Sequence, residues 1–138
     1  MVKGLNHLTL AVSDLERSFR FYTELLGLKP VARWMEGCYL SAGLTWICLI
    51  LDPNCRRGPL AEYTHVAFTV AGEDMAEIAR HLRNAGVTQW KQNRSEGESL
   101  YILDPDGHKL ELHQGDLASR LAAVKEKPYA GMVFFPPT

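Results

Sequence analysis

Apolar and polar residues alternate in two short segments that lie about half a chain apart. The segments NHLTLAV and THVAFTV begin at residues 6 and 64, 58 residues apart, and each carries a histidine in its second position. Alternation with a period of two is typical of a β-strand that buries one of its faces. The pattern therefore predicts a fold made of two repeats, each beginning with a half-buried strand.

An amphipathic helix is predicted after each of these strands. In the first helix, Ser13 and Glu16 have the spacing of a capping box, and Gly27 marks the end of the apolar stripe. The second helix is predicted between the acidic residues at 73 and 74 and the glycine at 86. A third, shorter helix at about 116–126 would begin with Asp116 as its N-cap.

Each of the first two helices is followed by three further strand-like segments. They are predicted at about 31–34, 38–42 and 45–51 in the first half and at about 88–91, 99–103 and 109–113 in the second. Both halves thus read as β-α-β-β-β, which predicts an α+β fold. We expect one domain over residues 1–138, with repeat one at about 4–53, repeat two at about 62–114 and a C-terminal helix and tail at 115–138.

The predicted strands have one hydrocarbon face and one polar, aromatic face. Because alternate side chains point to opposite sides of a sheet, the hydrocarbon face should be covered by the helices. The opposite face carries His7 and Thr9, Trp46 and Cys48, His65 and Thr69, Ser99 and Tyr101, and Lys109, Glu111 and His113. A sheet that curves around this second face forms a cup, and the cup is the predicted ligand site.

Three residues of the polar face are candidates for a metal site. His7, His65 and Glu111 provide two imidazoles and one carboxylate, a common ligand set for a divalent metal. The two histidines hold equivalent places in the repeats, and Cys48 holds the place of Glu111 in the first one. The alternative is that each histidine only hydrogen-bonds a neighbour. His113 is either a rival ligand or a residue that supports one.

Composition and charge narrow the classes of function. The chain is 46% hydrophobic and 22% charged with a net charge of -1, which is typical of a globular protein and gives no basic stripe for nucleic acid. No apolar run approaches the length of about 18 residues that a membrane span needs. The three cysteines, Cys38, Cys48 and Cys55, form no CxxC pair, which favours a reducing compartment. We expect a cytoplasmic protein.

Five stretches of the sequence together resemble a known family. They are GLNHLTLAVSDL, YTH, WKQNRSEGES, LDPDGHKLELH and PYAGM, in that order between about residues 4 and 135. They are similar to the fosfomycin-resistance glutathione transferases of the FosA type, within the vicinal oxygen chelate superfamily of glyoxalases, bleomycin-binding proteins and dioxygenases. The resemblance implies two βαβββ repeats whose curved mixed sheets surround a metal.

The resemblance also implies a reaction and an assembly. The expected enzyme uses Mn²⁺ and K⁺ and adds glutathione to the epoxide of fosfomycin. His7, His65 and Glu111 would hold the metal. The family members are domain-swapped homodimers, in which His7 comes from one chain and the other two ligands come from its partner.

Further residues receive roles from the same resemblance. The potassium loop would contain Asn93, Ser95, Gly97 and Ser99. The phosphonate would be surrounded by Thr9, Lys91, Ser95, Ser99, Tyr101 and Arg120, of which Thr9, Lys91, Tyr101 and Arg120 are the predicted catalytic residues. The remaining substrate-binding positions would be Trp34, Tyr39, Trp46 and Cys48.

Two segments depart from the family pattern and leave room for a different function. WMEGCY stands where members tend to have Trp-Asp-x-Gly-Ala-Tyr, and the loop DPNCRRGPLAE (52–62) also differs. Both lie where the thiol should dock, so a different thiol, or water, could replace glutathione. The sequence is also compatible with a metal-free drug-binding module and with a glyoxalase-type isomerase, although the isomerase usually has a fourth metal ligand where this chain has Cys48.

Overall fold

The computed structural model describes residues 1–94 and 97–137. The first repeat contains β1 (His7–Val12), α1 (Leu15–Arg20), which continues as a π-helical segment at Phe21–Leu25, β2 (Lys29–Trp34), β3 (Gly37–Ala42) and β4 (Thr45–Leu51). The second repeat contains β5 (Val66–Thr69), α2 (Gly72–Asn84), β6 (Gln89–Lys91), β7 (Ser99–Leu103) and β8 (Lys109–His113), and α3 (Leu117–Glu126) follows. The predicted order β-α-β-β-β occurs twice, so the α+β prediction is confirmed.

Each repeat forms its own four-stranded sheet. The strand orders are β1-β4-β3-β2 and β5-β8-β7-β6, with one parallel pair in each sheet, β1 with β4 and β5 with β8. Thr9 lies opposite Cys48 in the first sheet, and Ala67, which is 58 residues further along than Thr9, lies opposite Glu111 in the second. The register thus confirms that Cys48 takes the place of Glu111 in the first repeat.

The hydrocarbon faces of both sheets contribute to a shared core. Its fully buried strand residues come from both repeats: Val12, Leu40, Ile47, Leu49, Ile102, Leu110 and Leu112. Helical residues, including Tyr22 and Leu82, close the core. Alternation with Ile47 and Leu49 predicts that Leu51 is buried, but it is 41% exposed, because it is the last residue of β4, where the chain leaves the sheet.

The start of α1 differs from the sequence prediction. Asp14, not Ser13, is the N-cap, and its carboxylate accepts a hydrogen bond from the backbone N–H of Arg17 at 3.0 Å. The backbone N–H and the hydroxyl of Ser13 instead donate to the carboxylate of Asp106. Glu16 forms a salt bridge with Arg33 of β2. The predicted capping box is therefore wrong, because a carboxylate from the second repeat is the better partner for Ser13.

The ends of the other helices agree with the pattern. Asp116 caps α3, where its side chain accepts from the backbone N–H of Ser119 and the Ser119 hydroxyl accepts from the backbone of Asp116. Gly27 and Gly86 have φ values of 76° and 71°, the left-handed conformation that ends a helix. Among the helices within residues 1–94 and 97–137, none combines the length and apolar character that crossing a membrane requires.

The turn between β7 and β8 ties the second repeat to the first. Asp104 and Asp106 are each 4% exposed and His108 is 7% exposed. The Tyr22 hydroxyl donates to Asp104 at 2.7 Å, and His108 Nε2 lies 2.7 Å from the carbonyl oxygen of Ala11, to which it donates. Burial raises the pKa of Asp104, although the hydrogen bond from Tyr22 opposes that effect. The turn is thus a buried polar contact between repeats.

Removing the Tyr22 hydroxyl should destabilise the protein. We expect Tyr22→Phe to lower the free energy of unfolding by about 1–3 kcal/mol, because the buried Asp104 carboxyl loses a donor that water cannot replace. Urea unfolding followed by circular dichroism measures the change. Tyr129→Phe is the matched control, since Tyr129 is 62% exposed, and it should leave the midpoint unchanged. Equal midpoints for the two variants would contradict the prediction.

Candidate active site

Two of the predicted metal ligands meet on the polar face of the second sheet. His65 directly precedes β5, which is shorter than the predicted strand, and Glu111 lies at the centre of the neighbouring β8. His65 Nε2 lies 3.0 Å from Glu111 Oε2, and their side chains are 20% and 9% exposed. His65 Nδ1 lies 2.9 Å from the carbonyl oxygen of Tyr63, to which it donates a hydrogen bond. That bond leaves Nε2 directed at Glu111.

This donor pair fits a divalent cation. A histidine that donates Nδ1–H to a carbonyl and presents Nε2 is the usual arrangement of a metal-binding imidazole. Burial raises the pKa of Glu111, but the hydrogen bond from Ser99 and the adjacent His65 imidazole outweigh it and hold the pKa below its ordinary value. Glu111 is therefore a carboxylate, and nitrogen with carboxylate oxygen is a suitable ligand set for Mn²⁺ or Zn²⁺.

His7 does not join these two residues within one chain. It lies at the start of β1 in the other sheet, where its ring stacks on Trp46 at 4.3 Å and its Nδ1 lies 2.6 Å from Asn6 Oδ1. Within the described ranges, 1–94 and 97–137, no three side chains of His, Cys, Asp and Glu converge as a metal site. A single chain thus assembles two of the three predicted ligands.

The polar face of the first sheet carries a row of aromatic rings beside His7. Tyr39 lies 5.1 Å from Trp46 and 4.8 Å from Trp34, measured between ring centroids, and all three side chains are more than a third exposed. Thr9 and Cys48 share this face and lie opposite each other on β1 and β4. Burial raises the pKa of Cys48 more than the nearby Thr9 hydroxyl lowers it, so the thiol stays protonated.

A lysine on the second sheet projects over the same face as His65 and Glu111. Lys91 Nζ lies 4.8 Å from the ring centroid of Tyr101 and 4.7 Å from that of Tyr63, and it donates a hydrogen bond to the Tyr63 hydroxyl. That hydrogen bond is the main cause of the raised pKa of Lys91. The predicted substrate residues Lys91 and Tyr101 are thus brought together with two predicted metal ligands.

Sequence reasoning missed two aromatic residues of this cluster. Tyr63 contacts both Lys91 and His65, and the Trp90 ring lies 5.5 Å from His65 and 5.2 Å from Tyr101, between centroids. Tyr63 is two residues before His65, so alternation alone could have placed it on the cup face. Trp90 gave no such signal, because its side chain reaches the cluster from a short strand with an irregular register.

The segment after β6 holds most of the predicted potassium loop. Asn93 Nδ2 donates to the carbonyl oxygen of Gly97 at 2.9 Å, and Gly97 has φ 69°, so the chain turns tightly there. Ser99, at the start of β7, donates to Glu111 at 2.7 Å. Ser95 lies outside the described residues. Arg120 lies on the first turn of α3 and is half-buried.

A cavity near the contact between the two repeats does not contain these groups. Among the described residues it has a volume of about 800 Å³ and is lined by α1, residues 57–59, residues 85–88 and the turn at 103–107. Neither the ligands His7, His65 and Glu111 nor Lys91 lines it. The candidate active site is therefore defined by its chemical groups and lies outside this cavity.

The fold and this ligand pair agree with one protein family. The chain belongs to the Glyoxalase/Bleomycin resistance protein/Dioxygenase superfamily, whose family model matches residues 4–112. Within it, the chain is 61% identical over 136 residues to the glutathione transferase FosA of Serratia marcescens, covering 97% of this chain and 96% of that protein. It is 36% identical over 127 residues to the metallothiol transferase FosB of Shouchella clausii, covering 88% and 87%.

Solved structures give the same picture. The fosfomycin resistance protein FosX of Listeria monocytogenes, a mutant complexed with Mn(II) and 1S,2S-dihydroxypropylphosphonic acid, has a TM-score of 0.76 and 27% identity and covers 88% of this chain and 99% of that one. FosX of Mesorhizobium loti has a TM-score of 0.72 and 31% identity, with 88% and 99% covered. The resemblance to fosfomycin-resistance enzymes is therefore confirmed, whereas the site residues and the swapped dimer stay predictions.

Proposed function

We propose that this protein is a metal-dependent transferase that adds glutathione to the epoxide of fosfomycin and so inactivates the antibiotic. The observation that carries the proposal is the pair formed by His65 Nε2 and Glu111 Oε2, 3.0 Å apart, on the face that also presents Lys91. The 61% identity to a glutathione transferase supports glutathione as the thiol. We infer that the protein works in the reducing cytoplasm, where Cys38, Cys48 and Cys55 would remain free thiols.

The proposed metal site consists of His65, Glu111 and His7. Mn(II) is the metal in the FosX structure with a bound phosphonate, which favours a divalent cation of this kind. When bound, the cation would supply Lewis-acid stabilisation of the negative charge that develops on the epoxide oxygen as its C–O bond breaks. The Tyr63 carbonyl would keep His65 in the tautomer that presents Nε2.

A homodimer would bring the third ligand to the site. β1 and β5 are edge strands, each with a single neighbour among the described residues, and they begin next to His7 and His65. An unpaired edge strand is a template for pairing with another chain. Pairing β1 of one protomer with β5 of its partner would place His7 beside His65 and Glu111, and it would cover the exposed rings of the first sheet.

Cationic and hydroxyl groups would hold the phosphonate. Lys91 is fixed above the rings of Tyr63 and Tyr101, so its ammonium group faces the cup with its proton retained. Charge-assisted hydrogen bonds from Lys91 and Arg120 to phosphonate oxygens would neutralise the anion and fix its orientation. Tyr101 and Ser95, the latter from outside the described residues, would add hydroxyl donors.

The first sheet would receive the thiol. Its aromatic row of Trp34, Tyr39 and Trp46 lies beside Thr9, whose exposed hydroxyl can hydrogen-bond an incoming sulfur. In the reaction a glutathione thiolate forms a C–S bond to an epoxide carbon, the C–O bond breaks, and the released oxygen takes up a proton. Holding both substrates in line is the main contribution of these residues to the rate.

Incubating the purified protein with Mn²⁺, K⁺, glutathione and fosfomycin should yield the glutathione adduct of the antibiotic. Mass spectrometry identifies the product, and parallel reactions with cysteine or with no thiol test whether a different nucleophile is used. A diol formed without thiol would replace the transferase with a hydrolase. Protein that holds Mn²⁺ but gives no product, while still protecting cells, would favour the metal-free drug-binding module instead. Turnover of the methylglyoxal–glutathione hemithioacetal would favour the isomerase.

Potassium should activate the enzyme without stabilising its fold. The loop formed by Asn93, Gly97, Ser99 and the undescribed Ser95 would place a monovalent cation near the phosphonate and add positive charge there. Exchanging K⁺ for Na⁺ at constant ionic strength should lower the rate severalfold and leave the melting temperature unchanged. Asn93→Ala should reduce this activation, whereas Asn54→Ala, outside the loop, should not. A rate indifferent to K⁺ would make the loop an ordinary connection.

A further inference from the structure

Ser99 and His113 form a hydrogen-bonded group with Glu111 of the metal-ligand pair. Ser99 on β7 lies opposite His113 on β8, and Tyr101 lies opposite Glu111, so all four share one face of the sheet. The Ser99 hydroxyl is 2.7 Å from Glu111 Oε1 and 2.6 Å from His113 Nδ1. His113 Nδ1 is 3.4 Å from the same carboxylate oxygen, so each of the two hydrogen bonds through Ser99 is shorter than the direct contact between His113 and Glu111.

The chemistry of these groups fixes the direction of the hydrogen bonds. A carboxylate only accepts hydrogen bonds, so the single hydroxyl proton of Ser99 is donated to Glu111 Oε1. The Ser99 oxygen can then only accept from the other neighbour, and His113 Nδ1 must carry the proton that it donates. The relay runs from His113 to Ser99 to Glu111.

The relay and His65 occupy different oxygens of the carboxylate. Oε1 accepts from Ser99, while Oε2 faces His65 Nε2 at 3.0 Å. The terminal torsion of a glutamate is broad and roughly two-fold, so a carboxylate held at only one oxygen can adopt several orientations. The hydrogen bond from Ser99 to Oε1 adds a second point of attachment, which sets the plane of the carboxylate and keeps Oε2 directed toward His65. His113 is on the far side of the carboxylate and supports the ligand.

Gly115 leaves space that the His113 ring occupies. A Cβ at Gly115 would lie 2.9 Å from His113 Nε2, whereas a Cβ at Gly97 would only make an ordinary contact with His113 Cε1 at 3.5 Å. The φ values of these residues are 134° and 69°, which favour glycine on their own account. The His113 side chain is 14% exposed. The imidazole is therefore held in a fitted place between the end of the potassium loop and the start of α3.

We propose that His113 is a positioning residue for Glu111, and that it acts through the Ser99 hydroxyl to hold Oε2 in the orientation that binds the metal. The inference rests on the proposed metal-dependent function. It assigns Ser99 a role toward the carboxylate in place of the donor role toward the phosphonate that the resemblance implies. Outer residues that orient a ligand in this way typically contribute about 10- to 100-fold to metal affinity.

Mn²⁺ binding by the full-length, metal-depleted protein tests the proposal without reference to catalysis. The signal of free Mn²⁺ in electron paramagnetic resonance gives the dissociation constant. We expect His113→Leu to weaken binding by roughly 10- to 100-fold. His113→Asn should bind close to the wild-type value, because the amide nitrogen of asparagine can take the place of Nδ1–H as the donor to Ser99.

Ser99→Ala gives a second test through a smaller change. It should weaken Mn²⁺ binding about as much as His113→Leu, and the double variant should be no weaker than either alone, because both remove the same relay. If His113→Leu fails to fold by circular dichroism, Ser99→Ala and His113→Asn decide the question. Wild-type affinity in Ser99→Ala, or equal losses in His113→Asn and His113→Leu, would overturn the positioning role. Wild-type protein that binds no Mn²⁺ would instead overturn the metal-dependent function itself.

Discussion

Replacing Glu111 with alanine should lower the rate of adduct formation by more than about 100-fold, since losing even an outer residue that orients a metal ligand costs 10- to 100-fold. Glu111 is the buried carboxylate on which His65, Ser99 and the nearby His113 converge. Its removal would take away a direct ligand together with the anchor of these hydrogen bonds. The rate of glutathione adduct formation, measured with Mn²⁺ and K⁺ in excess, gives the size of the effect.

Two controls separate this effect from damage to the fold. Glu77→Ala changes a carboxylate on the exposed side of α2, where the side chain is 66% exposed, and should leave the rate unchanged. Circular dichroism should show that Glu111→Ala keeps the secondary structure, because the carboxylate lies on the cup face and not in the apolar core. A folded Glu111→Ala protein that works within tenfold of wild type would argue for a drug-binding mechanism in which the metal has no part.

The strands and the pairing of the repeats could be predicted from the sequence because they follow from local alternation. The segments 45–51, 99–103 and 109–113 occur with the predicted bounds. The equivalence of Cys48 and Glu111 also holds, since it depends only on the two repeats having the same strand pairing. The period of the strand was sufficient for strand interiors but not for strand ends, since Leu51 is exposed and β5 is shorter than predicted.

Features that depend on contacts between the repeats could not be predicted in this way. Ser13 has the spacing of a capping residue, yet it binds Asp106, 93 positions further along the chain. The hydrogen bond from Tyr22 to Asp104 spans 82 positions. Neither partner has a local signal, because the contact exists only once the turn between β7 and β8 packs on α1. Secondary-structure propensity describes one segment of the sequence at a time, whereas these hydrogen bonds join residues that are far apart in the chain.

The candidate site contains one feature that the sequence could predict and one that it could not. His65, directly before β5, and Glu111, on the neighbouring β8, meet as expected, whereas His7 lies on the other sheet of the same chain. Nothing in a linear sequence states which chain supplies a ligand, and the family resemblance alone suggested the partner. The open edge strands β1 and β5 now give that suggestion a physical basis, because each ends the sheet next to a predicted ligand.

Mixing two inactive variants should restore activity if each site is shared between protomers. In a swapped dimer, His7→Ala and Glu111→Ala homodimers both lack a ligand in every site. A mixed dimer has one site in which both changes meet and one site that receives the native His7 from one protomer and the native Glu111 from the other. Random exchange makes half of the dimers mixed, so activity should recover to about a quarter of the wild-type value.

The experiment distinguishes the two possible assemblies because they predict opposite results. If every site were built within one chain, a mixed dimer would carry one site without His7 and one without Glu111, and mixing would restore nothing. His65→Ala mixed with Glu111→Ala is the matched control, since both residues lie on the same sheet of the same chain. In that mixed dimer each site lacks one of the two ligands, so we expect no recovery. The variants are unfolded together and refolded together, so that the protomers exchange fully before the rate of adduct formation is measured.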